Sequence, residues 1–321
     1  YTEQGIVVFN TPGANANAVK ELIVASLLMG SRDIYGGMNY VQGLTDITDS
    51  AEMGQLLEKE KKRFAGGEVQ GKTLGVIGLG AIGSMIANLA LELGMDVIGY
   101  DPAISVEAAW QLSSNVERMD SIEALLSRSD FVTLHVPAIA ATKHLINSKT
   151  LSIMKSTAKI LNFAREEIVS TADMVEALEK GVIGGYITDF PTPDLLGRKE
   201  VLLMPHIGAS TAEAEENCAV MAANQLMDFL ENGNIRNSVN YPQIKMARNG
   251  GTRITFTNKN VPKVLSNVLS ILSDSNLNVV DMVNKSRDEI AYNIIDIEGD
   301  FDASLQDKIS AVDGVVHVRL I

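Results

Sequence analysis

Glycines 78, 80 and 83 stand between an apolar run, Leu74-Gly75-Val76-Ile77, and a stretch of helical character that opens at Ala81. Alone, a G-x-G-x-x-G spacing marks any tight turn. With a strand running straight in and a helix straight out, it reads as the start of a dinucleotide-binding βαβ unit. In that setting Gly78 permits the turn, Gly80 lets a pyrophosphate approach the backbone, and Gly83 lets the helix pack on the strand. The first helical turn, Ala81, Ile82 and Gly83, offers free N–H groups and a partial positive charge to the phosphates. The second strand ends at Asp101, eighteen residues beyond Gly83, where a carboxylate can accept from ribose hydroxyls. A 2′-phosphate would be repelled there, and Pro102-Ala103-Ile104-Ser105 contains no arginine to hold one. The expected cofactor is therefore NAD; the bland alternative for Asp101 is a surface turn residue.

From Lys72 onward strands and helices alternate. Strands are expected at Thr73–Ile77, Asp96–Tyr100, 131–135, 159–163, 185–189 and 201–204, with helices at 81–93, 121–127, Thr171–Glu179 and Ala212–Asn232. That alternation predicts an α/β fold, a Rossmann-type doubly wound parallel sheet with helices on both faces. Upstream, 5–10 reads as a strand, 16–35 as one helix, and 36–65 as polar and partly helical, its charged run 58–63 being a solvated face. After the linker Asn249-Gly250-Gly251 the pattern is strand, helix, strand, strand, helix, strand (253–257, 261–273, 278–285, 290–297, 303–311, 315–321), a ferredoxin-like βαββαβ unit. The expected division is 1–15, 16–210, 211–248 and 249–321.

Acidic residues outnumber basic ones by 40 to 27, which disfavours a nucleic-acid partner and mainly serves solubility. The single cysteine, Cys218, rules out an internal disulfide framework and fits a cytoplasmic setting. No apolar run reaches the length of a membrane span, and no metal site is expected.

Two residues have the chemistry that hydride transfer on a 2-hydroxy acid needs. Arg165 follows the apolar strand ending at Phe163 and is either a carboxylate clamp or a salt-bridged surface residue. His206, in Met204-Pro205-His206-Ile207-Gly208, follows a late strand, where open sheets place their ligands, and is either structural or catalytic. His135 follows a buried strand and is expected to line the cofactor wall. His144 lies in a polar helical stretch, and His317 in the terminal unit.

Together, Phe9-Asn10-Thr11-Pro12-Gly13-Ala14-Asn15, Gly71-Lys72-Thr73-Leu74-Gly75-Val76-Ile77-Gly78-Leu79-Gly80, Asn162-Phe163-Ala164-Arg165 and Pro205-His206-Ile207-Gly208-Ala209-Ser210-Thr211 resemble the D-2-hydroxy-acid dehydrogenase family over the whole chain. The resemblance implies that Arg165 binds the substrate carboxylate, that His206 is the general acid/base, and that Asn15 lies near substrate. It implies that Asp189 holds the nicotinamide carboxamide and that Phe163, Ala164 and Gly208 touch the cofactor. It identifies the terminal unit as an ACT-like regulatory module, with Asn260 and Asn278 as effector contacts for an amino acid such as serine, or else as a dimerisation sheet without ligand. The implied reaction is NAD-dependent oxidation of 3-phospho-D-glycerate at the entry to serine synthesis, in a homo-oligomer. The alternatives are another D-2-hydroxy acid (hydroxypyruvate or glycerate type) and a non-catalytic NAD-binding regulator.

Departures from the family pattern are equally specific. Pro193 falls about where a glutamate partner of the histidine belongs, making Asp194 the nearest substitute. Glu166-Glu167 replace the glycine usual after the arginine, and Lys263 replaces one in the effector loop. Residues 1–15 resemble the end of a substrate-domain segment, of which on the order of a hundred residues are expected upstream. NAD affinity is expected without that segment, and turnover is not.

Overall fold

The computed structural model describes residues 1–301 and 304–321, without the side chain of Glu107. They fall into two compact units, Asn15–Ala214 and Tyr1–Ala14 with Glu215–Ile321.

In the first unit, helices α1 (Ala16–Ser31), α2 (Ile34–Gln42) and α3 (Ser50–Glu60) precede the sheet. Its seven strands are β1 (Thr73–Ile77), β2 (Asp96–Tyr100), β3 (Glu117–Arg118), β4 (Phe131–Leu134), β5 (Lys159–Asn162), β6 (Gly185–Thr188) and β7 (Val201–Leu203). They lie in the order β3-β2-β1-β4-β5-β6-β7, all parallel. The intervening helices are α4 (Ala81–Glu92), α5 (Val106–Gln111), α6 (Ile122–Arg128), α7 (Ser148–Leu151) and α8 (Thr171–Glu179). The central strands are continuously buried because helices cover both faces, as a parallel sheet requires. One core is built from α1, α4 and the sheet, the other from α6, α8 and the opposite face. Strand order reverses between β1 and β4, so the carboxyl ends there open onto the crevice where such sheets bind ligands.

In the second unit, most of α9 (Ala212–Asn232) accompanies β8 (Thr252–Lys259), α10 (Val264–Asp274), β9 (Asn278–Arg287), β10 (Ile290–Glu298), α11 (Ser304–Ser310) and β11 (Val315–Leu320). The strands form an antiparallel sheet in the order β11-β8-β10-β9, the ferredoxin-like arrangement. Arg253, fully buried, donates to both oxygens of Asp296 at 2.6 and 2.7 Å and to the carbonyls of Asn232, Met246 and Ala247. Its guanidinium thus clamps the 232–247 segment to the sheet.

Three expectations are corrected. The single helix over 16–35 is two: Arg32 is extended, and the Asp33 side chain accepts from Gly36 N–H, capping α2. The strand over 5–10 is one bridge, Phe9 to Ser238, because the Asn240 side chain takes ladder positions, accepting from Val8 N–H and donating to Ile6 O. The helix expected from 261 opens at Val264, since Lys263 is left-handed, at φ 76°. Of the helix expected over 303–311, position 303 lies outside the described residues. Strand β3 and the short helices α5 and α7 are additional elements.

Candidate active site

The three loop glycines have three distinct physical reasons. Gly78 sits at φ 90°, and a Cβ there would stand 2.6 Å from His135 O. A Cβ on Gly83 would stand 1.9 Å from Gly78 O, so the helix can approach the loop only without a side chain. At Gly80 a Cβ would meet nothing within 4 Å. No protein packing demands glycine there; what it keeps clear is space at the N terminus of α4. That space lies beside the N–H groups of Ala81, Ile82 and Gly83, at the positive end of the helix dipole.

Asp101 pins this loop to the end of β2, with one oxygen accepting from Leu79 N–H at 2.8 Å and the other from Ala103 N–H at 2.9 Å. The second lone pair of each oxygen remains for a ribose. His135 donates its backbone N–H to Ile77 O at 2.7 Å, and its Nε2 lies 2.9 Å from Thr133 Oγ1. Burial pushes its pKa down to about 3, so the ring is neutral at physiological pH and suits a wall better than acid/base work.

Arg165 lies three residues past β5, exposed, with Nη1 donating to Ala164 O at 2.6 Å. Among the described residues no carboxylate pairs with its guanidinium. Its backbone is set by Asn162, fully buried at the end of β5, whose Nδ2 donates to Arg165 O at 2.9 Å and whose Oδ1 accepts from Ala164 N–H at 3.2 Å. Nδ2 also donates to the Tyr186 hydroxyl at 3.2 Å; burial raises that phenol's pKa. Phe163 is buried in the core beside α1, and Ala164 is half-buried. Glu166 and Glu167 are exposed in the 3₁₀ turn Glu166–Ile168.

His206 is exposed and left-handed, at φ 57°, with its ring centroid 5.0 Å from that of Phe190. The next two residues are held by Asp189, only 2% exposed, which accepts from Ile207 N–H at 2.9 Å and Gly208 N–H at 2.6 Å. Asp189 thus anchors the histidine loop, a task its resemblance-based assignment to the nicotinamide did not include. A Cβ at Gly208 would crowd Asp189 Oδ2 at 3.0 Å and reach Val19 at 3.7 Å. The N-terminal turn of α1, which Asn15 precedes as N-cap, therefore lies against this loop.

Asp194 is not brought to His206: its carboxylate makes no hydrogen bond or ion pair with the imidazole, and its carbonyl accepts from Arg198 Nε at 2.9 Å. Asn260 and Asn278 are also apart. Asn260 follows Lys259, which pairs with Ile290, whereas Asn278 pairs with Glu298 at the other end of β10. Eight residue steps of β10 separate those ends, roughly 25 Å.

Asn162, Tyr186 and Phe190 were not anticipated from the sequence. The available signal was a polar residue closing an otherwise apolar strand, Lys159-Ile160-Leu161-Asn162.

A family model described as D-isomer specific 2-hydroxyacid dehydrogenase, NAD binding domain, matches residues 37–208. D-3-phosphoglycerate dehydrogenase of Haemophilus influenzae is 32% identical, over 99% of this chain and 76% of that protein. The Synechocystis protein of the same name is 39% identical over 75% of this chain and 42% of its own length. Among solved structures, Aquifex aeolicus D-lactate dehydrogenase complexed with NAD and lactic acid matches with TM-score 0.60 and 25% identity, over 75% of each chain.

Proposed function

Because the chain belongs to the D-isomer specific 2-hydroxyacid dehydrogenase family and carries its NAD-binding domain, we propose that it oxidises 3-phospho-D-glycerate to 3-phosphohydroxypyruvate, the entry step of L-serine synthesis. One observation carries the reading. A guanidinium without a carboxylate partner and an exposed imidazole stand on loops that leave the same edge of one parallel sheet as the glycine cradle. The names of these two curated relatives support this choice of substrate.

Bound NAD supplies the hydride acceptor. Arg165 holds the substrate carboxylate, bidentate contact fixing the plane of the reacting carbon. His206 takes the hydroxyl proton on an imidazole nitrogen as the carbonyl forms. Phe190 packs beside the ring. Asp101 accepts from the ribose, and Asn15, the N-cap of α1, faces the substrate. Asp194 is the candidate acidic partner of His206 on sequence position alone. An unmoved pH–rate profile in Asp194→Asn removes it from the site.

The antiparallel sheet is read as an ACT-like module that takes an amino acid such as serine. One small ligand touching both Asn260 and Asn278 requires two copies of the sheet, and β9 is an exposed edge that a second copy can pair with. Saturable binding of labelled serine, lost on dilution to monomer, supports this reading; its absence leaves a sheet without ligand.

NADH formation by the full protein on 3-phospho-D-glycerate, D-glycerate and D-lactate tests the substrate assignment. Preference for D-glycerate or D-lactate moves it to another 2-hydroxy acid. NAD binding without any turnover moves it to a regulator.

A further inference from the structure

The two loops that carry Arg165 and His206 are joined by one buried polar network, and its centre is Asn162. The Asn162 carbonyl accepts from Asp189 N–H at 3.2 Å and from Thr188 Oγ1 at 3.2 Å. Asp189 in turn holds the Ile207 and Gly208 amides. The Asn162 amide holds Ala164 N–H and Arg165 O on the other side. Its remaining N–H goes to Tyr186 Oη. Both N–H donors of that amide and its oxygen are therefore engaged, and the side chain has one orientation compatible with all its partners. Asn162 is fully buried and Tyr186 is 3% exposed, so the hydrogen bond between them is shielded from water.

We infer that Asn162, locked by Tyr186, is a positioning residue that sets the Arg165 guanidinium relative to the His206 loop. This rests on the reading of Arg165 as the carboxylate clamp. Neither Asn162 nor Tyr186 is required to touch substrate or cofactor; they act through the backbone at 164–165. A misplacement of about 1 Å at a reacting group costs on the order of a hundredfold in rate. Asn162→Ala releases both loop contacts. Tyr186→Phe removes one oxygen, keeps the ring in the core, and unlocks the amide without deleting it.

The test combines two readouts on the full protein. The first is kcat/KM for reduction of 3-phosphohydroxypyruvate by NADH, with the Kd of NADH measured alongside. Asn162→Ala is expected to lower kcat/KM about a hundredfold and Tyr186→Phe about tenfold, with NADH Kd within twofold of wild type. Asn162→Ala in an Arg165→Ala background is expected to cost little more, because the two act as one unit. Fully additive losses, or parallel losses of NADH affinity, overturn the proposal.

The second readout needs no activity. Hydrogen exchange at the Ala164 amide, shielded by Asn162 Oδ1, is expected to accelerate at least tenfold in Asn162→Ala and in Tyr186→Phe, while amides of β1 keep their rates. Unchanged exchange at Ala164 overturns the proposal whatever the kinetics. If Arg165→Ala leaves kcat/KM intact, the clamp reading fails, and Ala164 exchange still decides whether Asn162 sets this loop.

Discussion

Replacing Asp189 by asparagine isolates the anchor of the histidine loop. The carboxylate accepts two backbone amides, at 2.9 and 2.6 Å, while only 2% exposed. Bonds to a buried charge contribute roughly 1.5–3 kcal/mol each. Asparagine is nearly isosteric but keeps one acceptor. Its NH₂ would face an N–H that then has no partner. The expected loss is about 3 kcal/mol, corresponding to a fall in Tm of roughly 6–12 °C for a unit of this size. His206 also holds a left-handed backbone, which costs a non-glycine residue about 1–2 kcal/mol and persists only while its neighbours are pinned. Releasing them lets His206 relax out of place, so kcat/KM is expected to fall about a hundredfold. Urea melts and steady-state kinetics on the same preparation read both effects. Stability within about 0.5 kcal/mol of wild type, with kcat/KM within twofold, would refute the reasoning.

Gly80→Ala should leave stability within about 0.5 kcal/mol, since its Cβ meets no protein atom, yet weaken NADH at least tenfold by entering the pyrophosphate space; fluorescence titration and thermal melts check this. His135 titrates at about 3 when folded, below its unfolded value, so the unfolded chain takes up the proton first as pH falls. Its contribution to stability is complete above about pH 6.5 and is lost from there down to about pH 3, roughly 2 kcal/mol by pH 5. Urea melts across that range should show this slope in wild type and a flatter one in His135→Gln. Lys263→Gly should stabilise the antiparallel unit by about 1 kcal/mol by removing a side chain from a left-handed position, read as a higher denaturation midpoint.

The parallel sheet was legible where its strands are short apolar runs alternating with helix signals; β3, two exposed polar residues, has no such pattern. Strands Thr73–Ile77 and Asp96–Tyr100 and helix Thr171–Glu179 have the bounds their patterns suggest. The break at Arg32–Asp33 was obscured because apolar spacing continues through it, and only the Asp33 cap marks a new start. At 5–10 the local pattern is that of a strand, but its partner is a side-chain amide more than two hundred residues away, which no local pattern reveals. The same limit applies at the site. Arg165 and His206 stand at strand ends where chemistry is expected. The residues that hold their loops stand elsewhere: Asp189 accepts from amides eighteen and nineteen residues downstream, and Asn162 is bonded to Tyr186 on a neighbouring strand. Asp194 follows from proximity in sequence, and its carboxylate is not at the imidazole.

Arg165 and His206 are proposed to form one hydride-transfer site served by NAD in the glycine cradle. The most direct measurement is NADH formation on 3-phospho-D-glycerate by the full protein, for wild type and for His206→Ala, with NAD affinity determined for both. The account predicts turnover in wild type, a fall of at least a thousandfold in His206→Ala, and equal NAD affinity. Turnover that survives the loss of His206 would contradict it.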